Sequence, residues 1–301
     1  MGGNPFDTTS IYGLIHYLEL EHGVHFIMGG TAALTQALAD LMVRQGIKLR
    51  LNTTVSSIKI RDGVAVGVIL ADGFEIAADI VVSNADAAHL YQNMVKSEDR
   101  SLASGLKLKA AHYSMGLYVL YFGTKKKYPE VAHHTIWMGE RYQELLEDIF
   151  HRKVLADDFS LYLHRPTATD PSFAPAGCDS FYVLCPVPNL QAGIDWAEAE
   201  PKLRARIIKA LDETMLPGLK ENITADFAMT PEDFKHNYQS MHGAGFSIAP
   251  LFRQSAWFRF HNKAEGIKNL YLVGAGTHPG AGMPGVLCSA KVIDALIPQA
   301  S

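Results

Sequence analysis

The chain has 301 residues, 48% hydrophobic and 19% charged, and its 27 Lys and Arg against 31 Asp and Glu give a formal charge of −4. Such a composition excludes global disorder and suits about two domains of roughly 150 residues each. It carries no basic footprint for a nucleic-acid backbone, so nucleic acid is excluded as a partner.

From Ser10 to Glu21, Ile11, Leu14, Ile15 and Leu18 recur at three- and four-residue steps and Gly23 follows as a stop, which predicts an amphipathic helix. A second helix is predicted after Gly29 and Gly30, with Thr31 as N-cap, Leu34, Leu38, Leu41 and Met42 on one face, and Gly46 at its end. The period then changes to two. Ile47, Leu49 and Leu51 alternate with Lys48 and Arg50, and the runs Val55 to Ile60, Val64 to Leu70 and Phe74 to Ile76 are separated by Arg61-Asp62-Gly63 and Ala71-Asp72-Gly73. The Asp-Gly pairs predict hairpins and hence a small antiparallel meander. Ile80-Val81-Val82 reads as a short strand ending in Ser83-Asn84-Ala85-Asp86, polar residues suited to a turn.

The middle, about 89 to 254, reads as α+β, with strands at Ser114 to Phe122, Ser160 to Leu163 and Ser180 to Cys185 and helical patterns at 140 to 151 and 201 to 215. Its longest apolar stretch, Ala110 to Phe122, is interrupted by His112 and Ser114 and falls short of the about 20 residues a membrane-spanning helix needs. Cys178, Cys185 and Cys288 form neither a Cys-x-x-Cys pair nor a complete disulfide set, which fits a reducing, cytoplasmic setting. Near the end, Asn269 to Val273 is a buried-type strand, Gly274 to Gly285 a glycine-rich loop, and Val286 to Ile297 a helix.

That strand, loop and helix carry the most chemical information, because glycines let backbone amides approach an anion or a ring and the helix N-terminus adds partial positive charge. The loop is not a primary phosphate site. A dinucleotide fingerprint wants Gly-x-Gly-x-x-Gly inside a βαβ unit, whereas here Pro279 replaces the third glycine and the chain stops at Ser301. His133-His134, with His16, His22 and His25, suggest a metal only by density, since no ligand spacing joins them, and no metal is assigned. Phe246, Ile248, Leu251, Phe252, Trp257, Phe258 and Phe260, interleaved with Arg253, Arg259 and Lys263, read as packing between domains or as the rim of an apolar tunnel at a membrane surface. Lys125 to Lys127 beside Tyr128 form a second basic surface.

Several motifs together resemble the bacterial-type phytoene desaturase family: Gly2-Gly3-Asn4-Pro5-Phe6, Ser10-Ile11-Tyr12, Gly29-Gly30-Thr31, Ser83-Asn84-Ala85-Asp86, Ser160 to His164, Tyr182 to Pro188, Gln254 to Arg259, and Asn269 through Val286. The resemblance covers nearly the whole chain, and Gly274 to Gly282 is its most specific block; Met283 departs from the usual Ile. It implies a flavoprotein that introduces double bonds into phytoene, a C40 polyene, in carotenoid biosynthesis, with FAD as cofactor. It also implies attachment to the membrane surface from the cytoplasmic side and a quinone or oxygen as electron acceptor. A related carotenoid isomerase or ketolase, or a non-catalytic module that binds apolar ligand, remain alternatives.

Members of that family start with a strand, a Gly-x-Gly-x-x-Gly loop and a helix that nothing here matches, so the chain is expected to be a carboxyl-terminal fragment, inactive alone, that exposes apolar surface. The implied fold is an incomplete Rossmann-like FAD-binding domain (α/β) with an α+β substrate-binding domain. Residues 1–22 begin the substrate domain, 23–88 form the middle piece of the flavin domain, 89–254 the substrate domain, and 255–301 the last flavin piece. The resemblance places the Val55 backbone at the adenine and Gly274, Ala275, Gly276 and Thr277 along the ribityl and phosphate portion. Pro284, Gly285 and Val286 start the helix, with the amides of Gly285 and Val286 facing the pyrimidine edge of the flavin. His278 is not assigned a role, and no catalytic acid or base is named.

Overall fold

A computed structural model of the chain describes residues 2–298. Helices α1 (Leu14–His22) and α2 (Gly30–Arg44) come first, then strands β1 (Val55–Arg61), β2 (Val64–Leu70), β3 (Glu75–Ala77) and β4 (Val81–Ser83). The short α3 (Ala87–His89) and α4 (Leu102–Ala110) lead into β5 (Gly116–Thr124), β6 (His134–Trp137), α5 (Tyr142–Glu147), β7 (Leu161–His164) and β8 (Asp179–Val187). There follow α6 (Trp196–Glu213), α7 (Leu219–Asn222), β9 (Ile223–Met229), α8 (Pro231–Tyr238), β10 (Leu270–Leu272) and α9 (Met283–Asp294). The chain packs as two compact units, one made of the described residues up to Tyr12, Leu51–Met115 and those from Asp233 on, the other of Gly13–Arg50 and Gly116–Glu232.

In the first unit β1, β2 and β3 form the antiparallel meander. Its first hairpin turns at Asp62 (φ 50°) and Gly63 (φ 73°), the double positive-φ turn that Asp-Gly favours. β10 pairs in parallel with β4, Leu270 beside Val81 and Leu272 beside Ser83. Ile58, Ala65, Val81, Leu90, Tyr91, Phe260, Leu270 and Leu272 share one buried cluster, so the meander and the parallel pair are two sheets on one core.

The second unit is a five-stranded sheet in the order β6-β7-β8-β5-β9, all neighbours antiparallel. Phe181, Val183, Cys185 and Val187 alternate inward along β8, and the 3.6-residue period of α6 brings Leu203, Ile207 and Leu211 onto the same core. Asp195 caps α6 by accepting from the amides of Ala197 and Glu198. The mixed α/β and α+β character expected from the sequence is therefore present.

Three expectations need correction. Thr31 does not cap α2: Gly29 (φ 79°) and Gly30 (φ 74°) make the turn into the helix, and the Gly29 amide is taken by Asp170 Oδ2 at 2.8 Å. Ile47, Leu49 and Leu51 do not form a strand; a strand exists only with a ladder partner, and among the described residues none lies beside them, so all are exposed. β6 and β9 are additional strands at the two edges of the sheet; in β9 apolar Ile223, Ala225 and Phe227 do alternate with Thr224 and Asp226, over only five residues.

Candidate functional site

The parallel pair β4 and β10 aims two loops the same way. After β4, Asp86 caps α3 by accepting from the amides of Ala88 and His89. After β10, the Val273 amide donates to Ser83 O, and the Gly274 amide donates at 2.9 Å to the hydroxyl of buried Ser289 on α9. Strand end and returning helix are thus stitched together at the point where the loop begins.

Two glycines of the loop answer to packing as well as to any ligand. A Cβ on Gly276 would lie 2.9 Å from Ser247 Oγ and 3.0 Å from Ala87 Cβ, and one on Gly285 would lie 2.7 Å from Gly280 O. Gly274 is different: at φ +100° a Cβ there would meet only Asn84 O, at 3.5 Å, so space is open on that side although its amide is spent on Ser289 and its carbonyl on Thr277. Thr277 is buried and spends its hydroxyl on Gly274 O, with Asn262 donating to it. Ala275 O and Thr277 O both accept from Arg259.

Arg259, 2% exposed, is the keystone of this loop. Besides Ala275 and Thr277, its guanidinium donates to the carbonyls of Gln254 and Ile248. Burial lowers its pKa, but a guanidinium in a ring of carbonyls stays charged. On α9, Pro284 sits in the first turn, no side chain caps the helix, and the Val286 amide closes onto Gly282 O at 2.9 Å. Of the two amides expected to face a ligand, Val286's is therefore committed to its own helix, and Gly285's lies ahead of the first ladder bond. Val55 opens β1 in the meander and packs, half-buried, against the shared core; it does not belong to the sheet that carries the glycine loop. His278 is exposed.

Beside the loop the first unit holds a cleft of about 510 Å³ lined by Lys107, Ala110, Ala111, His112, Ile248, Leu251, Phe252, Arg253, Gln254, Phe258 and Phe260. Gln254 fixes one wall by accepting from the His112 amide and donating to His112 O and Ala249 O. Behind it, Glu265 takes hydrogen bonds from Lys107 Nζ at 2.7 Å and from Tyr91 OH. Burial alone would raise the Glu265 carboxyl; those donors overcome it and hold it below the usual range. The amino-terminal Gly2-Gly3-Asn4 motif answers to packing: a Cβ on Gly2 would strike Phe246 and one on Gly3 would strike Thr8 and Pro250.

In the second unit the structure brings together three histidines that are scattered in sequence. β6 and β7 place His134 directly opposite His164, and His133 folds beside them with its Nε2 2.8 Å from His164 Nε2. Burial, with His133 and His134 alongside, pushes His164 down to about 4, and burial lowers His133 as well. The cross-strand partner 30 residues away is the signal that spacing rules do not contain.

The chain matches the model of the family described as flavin containing amine oxidoreductase over residues 1–292. It is 49% identical over 306 residues to the phytoene desaturase (neurosporene-forming) of Rhodobacter capsulatus, covering 100% of this chain and 58% of that protein. To the phytoene desaturase (lycopene-forming) of Pseudescherichia vulneris it is 48% identical over 298 residues, covering 99% and 61%. The chain thus spans about three fifths of the length of these relatives. Among solved structures, an oxidoreductase from Methanosarcina mazei superposes with a TM-score of 0.60 at 18% identity over 89% of this chain and 55% of its own, a likeness of fold.

Proposed function

This chain belongs to the flavin-containing amine oxidoreductase family, and from that premise we propose that it serves an FAD-dependent desaturase that introduces double bonds into phytoene. One observation carries the reading: an Arg259-anchored glycine loop between a parallel strand pair and α9, in a chain 48–49% identical along its length to proteins named phytoene desaturase.

The residues at the loop fit a flavin dinucleotide. Space is open on the Cβ side of Gly274, the start of α9 is uncapped, and the buried Ser247 Oγ beside Gly276 has no hydrogen-bond partner. Gly274, Ala275, Gly276 and Thr277 would run along the ribityl and phosphate portion, Val55 would meet the adenine, and Pro284, Gly285 and Val286 would start α9 so that the amide of Gly285, the one not spent on the helix, faces the pyrimidine edge. FAD, when bound, supplies a two-electron acceptor for a hydride. This chain's part is to bind and to orient: Arg259 holds the carbonyls of Ala275 and Thr277 turned inward, the amides of Gly274 and Thr277 are spent within the protein, those of Ala275 and Gly276 are left to meet a ligand, and the α9 dipole favours negative charge at Gly285. The apolar cleft with Phe252 and Phe258 at its mouth suits a hydrocarbon that must leave a bilayer, and Arg253 suits its anionic headgroups. We assign residues 23–88 and 255–301 to the flavin side and 1–22 with 89–254 to the substrate side. A cytoplasmic, peripheral position at the membrane and a quinone or oxygen as final acceptor belong to the same proposal. Among the described residues no helix is long and apolar enough to cross a membrane.

The test is expression of a gene product carrying this chain in cells that accumulate phytoene. Desaturated carotenes in the pigment extract and flavin absorbance in the purified protein are the expected results. Purified, folded protein without flavin, or phytoene left unconverted, overturns the reading.

A further inference from the structure

We propose that His133, His134 and His164 form a binding site for a divalent transition metal of the imidazole-preferring class, with zinc as its representative. One ring nitrogen of each lies within 4.8 Å of one in each of the others, close enough for a single ion to reach all three. Zinc–nitrogen bonds of about 2.0–2.1 Å in a tetrahedral site put ligand nitrogens about 3.3 Å apart. The Nε2 atoms of His133 and His164 stand at 2.8 Å, so the ion needs them to part by about half an ångström, a small rotation of two incompletely buried rings.

The cluster is built by the fold. The β6–β7 register sets His134 against His164, the Arg165 amide ties down His133 O at 2.9 Å, and Phe26 packs edge-on against the His133 ring at 4.6 Å. The rings of His134 and His164 are stacked within 8° of parallel, so the exposed His134 ring must also turn for its in-plane lone pair to meet the same ion. Outer nitrogens already have oxygen partners: His133 Nδ1 meets Thr169 Oγ1, and His134 Nδ1 meets Tyr162 OH at 2.6 Å. That is the arrangement by which outer hydrogen bonds fix the tautomer and aim the other nitrogen at a metal. In the metal-free cluster one proton holds His133 Nε2 to His164 Nε2. Metal binding moves that proton to an outer nitrogen, Nδ1 of His164 if His164 carries it, so both Nε2 lone pairs become ligands and no charge is lost. The alternative, a hydrogen-bonded stack with no ligand, accounts for the His133–His164 contact but requires nothing of His134; His164 Nδ1 is buried without a partner with or without the ion. Exposed His134 opens the cluster to solvent, where water supplies the fourth position.

Calorimetric titration of the full chain with Zn²⁺ is expected to show one ion per chain. His134→Asn, at an exposed position, is expected to keep the native circular dichroism and to weaken binding at least about tenfold, as is His164→Asn. Co²⁺ in place of zinc is expected to give ligand-field bands without a thiolate charge-transfer band. Folded protein that takes up no zinc stoichiometrically, or affinity unchanged in His134→Asn, overturns the proposal. So does zinc that survives replacement of the three histidines and disappears with Cys178→Ser and Cys288→Ser.

Discussion

Arg259 and Glu265 are charges held in the interior by opposite means, and each yields a measurable consequence. Arg259 forms no ion pair among the described residues, Asp86 acting on it only through its charge; it is satisfied by the carbonyls of Ile248, Gln254, Ala275 and Thr277. Removing it strands those oxygens, so Arg259→Met is expected to cost about 3–5 kcal/mol in urea unfolding, within the range for breaking a buried charged network. Glu265 is paired with Lys107 and Tyr91, and its carboxyl lies below its ordinary value of 4.5. A depressed acid binds fewer protons folded than unfolded, so its stabilisation is complete above about pH 4.5 and is lost as pH falls through the folded value. The stability gap between the native chain and Glu265→Gln is therefore expected to be widest near neutrality and to close in acid; a gap independent of pH counts against the pairing. The cysteines separate by burial: Cys185, pushed up to about 12, is expected to resist alkylation until the chain unfolds, while exposed Cys288 reacts at once. Little of this was legible in the sequence. Arg259 stood out within a motif, but partners that are backbone carbonyls leave no trace in residue type, and the tie of Glu265 to Tyr91 spans 174 positions.

Among the elements, those written by local chemistry were the legible ones. The meander follows from its two Asp-Gly turns, and the strand, loop and helix around Gly274 from an apolar run, glycines and a proline at the helix start. Edge strands β6 and β9 were missed, β6 because four residues with two polar ones carry no period and β9 although Ile223 to Phe227 alternate, and with β6 went the register that assembles the three histidines. Gly285 shows how an element limits what one substitution can report. The amide of Gly285 precedes the first ladder bond of α9 and suits a ligand, yet a Cβ there meets Gly280 O at 2.7 Å. Gly285→Ala is therefore expected to shift the loop even before any ligand is added, lowering the thermal midpoint of the chain by a few degrees, whereas Gly274→Ala strains φ without a close clash. Equal midpoints for Gly285→Ala and the native chain would mean that the Gly280 turn yields freely and that Gly285 answers to ligand alone.

At the scale of the whole molecule both compact units are assembled from separated stretches, which no reading along the chain could have divided at 12, 50, 115 and 232. The anticipated exposure of apolar surface is present on the faces of α1 and α2, where Leu14, Leu18, Leu38 and Leu41 are uncovered, and again at Phe252, Trp257 and Phe258, 70%, 76% and 52% exposed. These two surfaces differ in charge. α1 carries Glu19 and Glu21, whereas the aromatic segment carries Arg253 beside the 510 Å³ cleft, Lys107 there being paired with Glu265. The alternative basic surface at Lys125 to Lys127 loses its apolar half, since Tyr128 is buried and Lys126 lies over its ring while donating to Pro217 O. Each basic side chain near an anionic leaflet contributes only about 1 kcal/mol, so attachment needs inserted aromatics as well. The segment 252–258 supplies both. The chain is therefore expected to co-sediment with anionic vesicles more strongly than with neutral ones and to release partly at high salt. Phe252→Ser with Phe258→Ser is expected to abolish most of the binding to both vesicle types, while Lys126→Ala leaves it unchanged. If the double replacement binds anionic vesicles like the native chain, the apolar contact lies on another surface, and the uncovered face of α2 becomes the place to look.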